Sequence, residues 1–435
     1  LQGGKIAYRA IDACIAFLPQ IEGKLVLTVE SVAGPDGDLH PCQQAMVDCH
    51  GSQCGFCTPG FVMSLYAIYL GGRPLDAQAI NDHLAGNLCR CTGYGPIIKA
   101  ASEMFKHPPC AWDQERRARD IAQLRAIRHD ATVEMTDDGR RFIAPASLTT
   151  LAKIYATHPD ATIVSGATDV GLWVTKQHRA LSTLIHIGRV EELQKIEVSA
   201  DLLRVGAGVT VTEFYSAIAD HYPDVGELLR RFASTQVRNS ATIGGNIANG
   251  SPIGDGPPAL IALGTRIVLS KGETRRSMPL EDYFIAYGKQ DRAPGEFVET
   301  LEVPLKTAPQ ALGCYKVSKR FDQDISAVCG CFNVTIAGGR IEAACICFGG
   351  MAATPKRASA VEAALAGQPW TRATIEAALP AFAQDYAPID DLRATAWYRL
   401  QIAKNLLTKY FVERSAAIAG EKARTRLVGA TAAFG

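Results

Sequence analysis

The sequence predicts an α+β protein of several domains, and three observations carry that reading. Proline-opened helical stretches punctuated by glycine run from His40 to Phe105. β-Branched apolar clusters alternate with helical pieces from Phe142 onward. Two strand-like runs then meet at Gly338-Gly339, before a helical C-terminal stretch. At 435 residues, 47% hydrophobic and 20% charged, the chain is long enough for two or three domains, each with its own core.

In chain order, Pro41, Pro59 and Pro96 each suit the first turn of a helix, where a missing N–H is no loss; the last helix is expected over Ile97 to Phe105. The charged stretch Lys106 to Asp138 opens on His107-Pro108-Pro109 and reads as a linker with one helical piece near Ala118 to Arg128. Strands are expected at Ala161 to Val164, Leu202 to Val205 and Ile267 to Leu269, with a helix over Val211 to Ala219. Near Pro304 the pattern changes. Runs Ala327 to Ala337 and Arg340 to Phe348 flank Gly338-Gly339 as a hairpin, and helices follow from Ala358.

The 45 basic and 44 acidic residues leave a formal charge of +1, so no global field gathers nucleic acid or an anionic membrane. The longest apolar run, Phe61 to Leu70, is too short to cross a bilayer, and the first residues lack a secretion-signal pattern; a cytoplasmic protein is expected. In that compartment thirteen cysteines read as metal ligands and buried thiols, not disulfides.

Cys54-Gly-Phe-Cys57 and Cys89-Arg-Cys91 supply four thiolates, enough for a [2Fe-2S] cluster or a tetrahedral zinc. Each pair precedes a predicted helix start, whose free N–H groups favour an anionic centre. The one-residue gap in the second pair is uncommon in zinc modules. Cys329, Cys331, Cys345 and Cys347 sit on the two hairpin strands. A two-residue turn puts Cys331 opposite Ile346 and the two pairs on opposite faces, as buried apolar thiols. Cys42, Cys49, Cys110 and Cys314 are isolated in sequence and read the same way.

Two glycine-rich loops, Ile163-Val-Ser-Gly-Ala-Thr-Asp-Val170 and Thr242-Ile-Gly-Gly-Asn-Ile-Ala-Asn-Gly-Ser-Pro-Ile-Gly-Asp255, suit a pyrophosphate, because glycine lets the backbone approach an anion and Ser, Thr and Asn add donors. Neither matches the dinucleotide G-x-G-x-x-G fingerprint or a Walker loop. No nucleophile–base set is evident and the nine histidines are scattered, so no catalytic residue is assigned.

The segments Gly51 to Gly60 and Gly86 to Tyr94 resemble the two halves of the helical [2Fe-2S] domain of the molybdenum hydroxylase (xanthine oxidase) family, which includes xanthine dehydrogenases, aldehyde oxidases and carbon monoxide dehydrogenases. Within it, the chain resembles the small iron-sulfur and flavin subunit of bacterial xanthine dehydrogenases. The resemblance implies a remnant of a plant-ferredoxin-like domain at 1–18, with Cys14 at a cluster-ligand position whose three partners are absent. It further implies a helical [2Fe-2S] domain at 19–105, a linker at 106–140, a vanillyl-alcohol-oxidase-like FAD domain at 141–308, a C-terminal flavoprotein domain at 309–420 and a tail at 421–435.

By position, it assigns the cluster to Cys54, Cys57, Cys89 and Cys91. It assigns FAD contacts to Ile163, Val164, Ser165, Gly166, Ala167, Thr168, Asp169 and Val170, and to Thr242, Ile243, Gly244, Gly245, Asn246 and Asp255. Phe232 and Ile247 fall near the rings, and Val298 and Lys316 match further contact positions. Asp255 suits a ribose hydroxyl and Lys316 the electron-rich side of the flavin, although on sequence alone Lys316 reads as a solvated surface lysine. The Lys319 to Ser326 loop, with Asp322 and Asp324, matches a mobile family loop whose charge bears on the acceptor, and points to NAD. The resemblance places molybdopterin on a large partner subunit, in a heterotetramer of two small and two large chains. It implies electron transfer during hypoxanthine and xanthine oxidation to urate. Aldehydes or other heterocycles are alternative substrates, and a zinc-bound non-catalytic scaffold is the rival reading.

Overall fold

The computed structural model describes residues 6–306, 308, 311–423 and 425, and the chain divides into two compact units. The tail expected at 421–435 falls outside the described residues apart from 421–423 and 425, as do residues 1–5 of the expected ferredoxin-like remnant.

Unit one takes in residues 1–146, 162–189 and 233–241. Its helices Pro41–Asp48, Thr58–Leu70, Ala77–Leu84 and Gly95–Glu103 bury Phe61, Leu65, Ile97 and Met104 completely. All three prolines stand in the first turn of a helix, as expected, while Met104–Lys106 tightens into a 3-10 turn. The stretch read as a linker contains more structure than its composition suggested. Its helix runs over Ala111–Ala126, seven residues earlier than expected, because His40 and Asp113 hold its first turn: His40 Nε2 lies 2.8 Å from Asp113 Oδ2, and Tyr66 donates to Asp113 Oδ1 at 3.3 Å. Cys42 and Cys110, isolated in sequence, therefore gather around His40 in space.

The strands Val133–Asp137, Arg140–Ala144, Thr183–His186 and Thr162–Val164 form a sheet in that order, antiparallel in the first pairing and parallel in the others. Residues 233–241 contribute the short helix Thr235–Arg238, whose Gln236 donates to Ser64 Oγ and to His83 O, both at 3.0 Å. The segment Asp12-Ala13-Cys14 enters a 3-10 turn at Ala13–Ile15 with Cys14 exposed.

Unit two takes in residues 147–161, 190–232 and 242–435. A five-stranded antiparallel sheet has the order Ile196–Val198, Leu202–Gly206, Phe297–Pro304, Arg266–Lys271, Thr274–Pro279. A four-stranded meander follows: Leu312–Val317, Val328–Ala337, Arg340–Gly349, Lys356–Arg357. The 23-residue helix Ala396–Ile418 packs on the meander, stacking Tyr410 on Phe332 at 5.2 Å.

The Gly338-Gly339 turn has two residues, both at positive φ, and pairs Ala337 with Arg340 as expected. A bulge between Thr335 and Ile336 then shifts the register by one, so Cys331 faces Cys347 and not Ile346. This corrects the expectation of opposite faces: Cys329, Cys331, Cys345 and Cys347 share one face, and Cys314 pairs across with Cys331. Burial drives Cys331 and Cys347 well above the ordinary thiol value and Cys345 up to about 12, the behaviour of buried neutral thiols.

Candidate cofactor sites

The cysteine motifs converge in unit one. Gly55, at φ 83°, turns the chain between Cys54 and Cys57, and Cys57 caps the helix Thr58–Leu70. Cys89 and Cys91 precede the helix Gly95–Glu103, after a turn in which Gly93 and Tyr94 both take positive φ. Cys91 Sγ lies 3.5 Å from Cys54 Sγ, and the Cys57 and Cys89 thiols hydrogen bond each other. Each pair thus draws one sulfur from each motif.

Among the described residues, the group of three or more ligand atoms all within 4.8 Å of one another is His40, Cys110 and Asp113, so no three of the four motif sulfurs approach that closely. Four thiolates on one zinc at about 2.3 Å would lie about 3.8 Å apart. Two separated pairs suit two irons with two thiolates each. Hydrogen bonds from the Thr92 hydroxyl and backbone lower Cys89 to about 7, whereas burial and then the Cys89 contact raise Cys57 to about 11. The Phe56 backbone, then Cys91, lowers Cys54, and the hydrogen bond to Cys54 raises Cys91. In each pair the surroundings favour the thiolate form, the one that metal binding requires, at one sulfur more than at the other: Cys89 over Cys57 and Cys54 over Cys91.

The first glycine loop also lies in unit one. It leaves the strand Thr162–Val164, bends at Gly166 and places Ala167 at φ 60°, a region alanine rarely adopts. Gly166 backs onto the chain so tightly that a Cβ would stand 1.7 Å from Ser240 O. Among the described residues, the backbone N–H groups of Gly166, Ala167 and Thr168 donate to no protein acceptor. Successive unpaired N–H groups around a left-handed residue form a concave anion nest. Asp169 turns its carboxylate to Trp173, accepting from Nε1 at 3.0 Å. Val170 starts the helix Val170–Thr175.

The second loop lies in unit two, and its two glycines have different tasks. Thr242 caps the helix Ile243–Ala248 and accepts from the Gly245 N–H at 3.2 Å. Ile243 and Gly244 donate to Val209 O and Ala207 O, and a Cβ on Gly244 would come within 2.4 Å of the Ala207 Cβ. Gly244 is thus a packing glycine. Gly245 is exposed, and a Cβ there would meet only Thr242 Oγ1, at 3.0 Å. Asn246 Oδ1 is buried with no hydrogen-bond partner among the described residues, so the loop keeps an acceptor able to take a donor such as a ligand hydroxyl. The side chains of Ile243 and Ile247 are buried in the unit's core, Phe232 is half-buried, and Val298 lies at a bulge of the strand Phe297–Pro304.

Lys316 is not a solvated surface lysine. Its Nζ lies 2.5 Å from Asp255 Oδ2, Ser326 Oγ donates to Asp255 Oδ1, and all three side chains are buried. The strand Leu312–Val317 carries Lys316 inward, opposite Cys329. The loop that follows is tied down: Arg231 donates to Phe321 O and stacks over the Phe321 ring, while Asp324 accepts from the Arg320 and Ile325 N–H groups.

Sequence reasoning missed Gln20 and His186 beside the first loop, and the His40–Asp113 contact; these residues carry no motif, and only folding reveals them.

Three family signatures match the chain: a [2Fe-2S] binding domain over residues 28–102, an FAD binding domain in molybdopterin dehydrogenase over 134–306, and a CO dehydrogenase flavoprotein C-terminal domain over 313–414. Xanthine dehydrogenase of Emericella nidulans is 29% identical over 88% of this chain and 32% of its own length. Xanthine dehydrogenase 2 of Arabidopsis thaliana is 30% identical over 86% and 33%. The chain spans about a third of the length of these curated relatives. Among solved structures, carbon monoxide dehydrogenase from Hydrogenophaga pseudoflava matches at TM-score 0.58 and 26% identity, over 63% of this chain and 96% of that one. Quinoline 2-oxidoreductase from Pseudomonas putida 86 shares the fold at TM-score 0.58 and 24% identity, over 64% and 98%. No helix among the described residues is long and apolar enough to cross a membrane. The separated sulfur pairs, the open amide run and the three matched domains agree: the chain belongs to the molybdenum hydroxylase family of oxidoreductases, of which it carries the [2Fe-2S]-binding, FAD-binding and flavoprotein C-terminal domains.

Proposed function

We propose that the chain is the electron-transfer subunit of a cytoplasmic xanthine dehydrogenase. Hypoxanthine and xanthine are oxidised to urate at molybdopterin on a large partner subunit, in an assembly of two small and two large chains, and the electrons leave this chain to NAD. The observation that carries the reading is the arrangement of Cys54 with Cys91 and Cys57 with Cys89 as two pairs, suited to a dinuclear cluster. The xanthine dehydrogenases among the relatives support the substrate, and the acidic residues Asp322 and Asp324 support NAD as acceptor.

When bound, the cluster and FAD supply one-electron and two-electron redox capacity. The chain's residues do the holding. Cys54, Cys57, Cys89 and Cys91 ligate the irons. In the first loop, Ile163 to Val170 present the amides of Gly166, Ala167 and Thr168 to the pyrophosphate. In the second, Thr242 to Asn246 offer phosphate the open side of Gly245, with Asn246 Oδ1 accepting from a hydroxyl. Asp255 and Lys316 serve the ribose and the flavin as a pre-formed ion pair, and the half-buried Phe232 lines the ring side, with Ile247 and Val298 as buried apolar support.

Reconstitution with the large chain from the native host tests the assignment. Xanthine-driven NAD reduction, faster than oxygen consumption, is expected. Preference for an aldehyde or another heterocycle would replace the substrate, and oxygen as the faster acceptor would remove NAD.

A further inference from the structure

The first glycine loop is shaped from beneath by a chain segment that carries no motif. Gln20, in the 3-10 turn Leu18–Ile21, is only 8% exposed, although its neighbours Leu18 and Gly23 face solvent. Its Oε1 accepts from the Phe17 N–H at 2.8 Å, which fixes which way round the amide stands. Nε2 is thereby the atom directed at Ser165 O, 2.5 Å away. His186 also hydrogen bonds the Ser165 backbone, and burial lowers this histidine to about 3, so it stays neutral there. Two more contacts bring the same segment to the loop. A Cβ on Gly171 would stand 2.3 Å from Ile15 O, and Asn239, next to the Ser240 that backs Gly166, donates to Ala10 O at 3.0 Å.

A trans peptide is planar, with its C=O and N–H pointing in opposite directions. Donors locked onto Ser165 O therefore turn the Gly166 N–H the other way, and they polarise it into a better donor. That N–H is the first of the unpaired run, and the Ala167 that follows holds a conformation that persists only where its surroundings over-determine it.

We propose that Gln20 is a positioning residue for phosphate binding at this loop: it holds the Ser165–Gly166 peptide with its N–H presented to the FAD pyrophosphate. Flavin affinity then depends on a side chain more than 140 residues away in sequence. The proposal rests on the FAD reading of the loop.

The test is fluorescence titration of FAD into the deflavinated 435-residue chain. Gln20→Glu keeps an acceptor for the Phe17 N–H but sets a carboxylate oxygen against Ser165 O, and Gln20→Met removes both contacts. Each is expected to raise the FAD Kd about tenfold or more, while iron content and the cluster's paramagnetic signal stay unchanged. A Kd within about twofold of the parent in folded Gln20→Glu protein overturns the role of Gln20. Should neither variant fold, hydrogen exchange on the unmutated chain decides. FAD is expected to slow exchange in residues 17–22 together with 163–170, and protection confined to 163–170 overturns the proposal. An unmutated chain that takes up no FAD removes the flavin reading itself, and this proposal with it.

Discussion

Substituting Asp255 separates folding from cofactor binding. The Lys316 and Asp255 side chains are 3% and 5% exposed, their charged atoms are 2.5 Å apart, and Ser326 occupies the second carboxylate oxygen. Asp255→Leu leaves an ammonium buried without its counter-ion, at a cost of about 3–5 kcal/mol, and Lys316→Met leaves the carboxylate in the same position at a similar cost. Removing both restores an apolar pair, and the combined cost falls to about 0–2 kcal/mol. Guanidinium unfolding of the flavin-free chain, followed by fluorescence, gives the four corners of the cycle, and flavin content is measured on the same proteins. Both single variants should be much less stable than the double variant, while flavin stays low in all three. Costs that add within about 0.5 kcal/mol would show that the two groups do not form one buried unit.

Cys89→Ser should abolish or markedly alter the [2Fe-2S] paramagnetic signal on reduction, and an unchanged signal removes Cys89 from the ligand set. Gly245→Val should fold with iron but little flavin, because its side chain enters open space at the second loop. Gly244→Ala should instead lose about 1–3 kcal/mol of stability through its clash with Ala207; equal behaviour of the two variants contradicts the division of labour. His186 falls from 6.5 to about 3 on folding, mainly through burial, so below pH 6.5 the unfolded chain binds the extra proton. Stability should therefore decline as pH drops from about 6.5 to 3, by on the order of 4 kcal/mol. His186→Gln should flatten that decline in acid titrations followed by hydrogen exchange, and an unchanged slope assigns the acid sensitivity elsewhere.

What the sequence revealed depended on how local the signal was. The helix starts at Pro41, Pro59 and Pro96 and the Gly338-Gly339 turn are written within a few residues, and the structure bears them out; the cysteine motifs are as local, and folding brings their sulfurs together in two pairs. The bulge at Thr335 carries no composition cue, yet it moves every partner beyond it by one position, which is why the faces of Cys331 and Cys347 were misassigned. Lys316 looked exposed because its partner Asp255 is 61 residues away, and long-range ion pairs leave no spacing to read. Gly244 and Gly245 are identical in sequence, and only the approach of Ala207 shows that one packs and the other faces solvent.

The chain's cysteine pairs and glycine loops are suited to one dinuclear cluster and one flavin. Metal and flavin analysis of the purified 435-residue chain, with its visible spectrum, tests this most directly. About two irons and two acid-labile sulfides per chain are expected, with flavin absorption and no zinc. A colourless protein carrying about one zinc per chain and no flavin would contradict it.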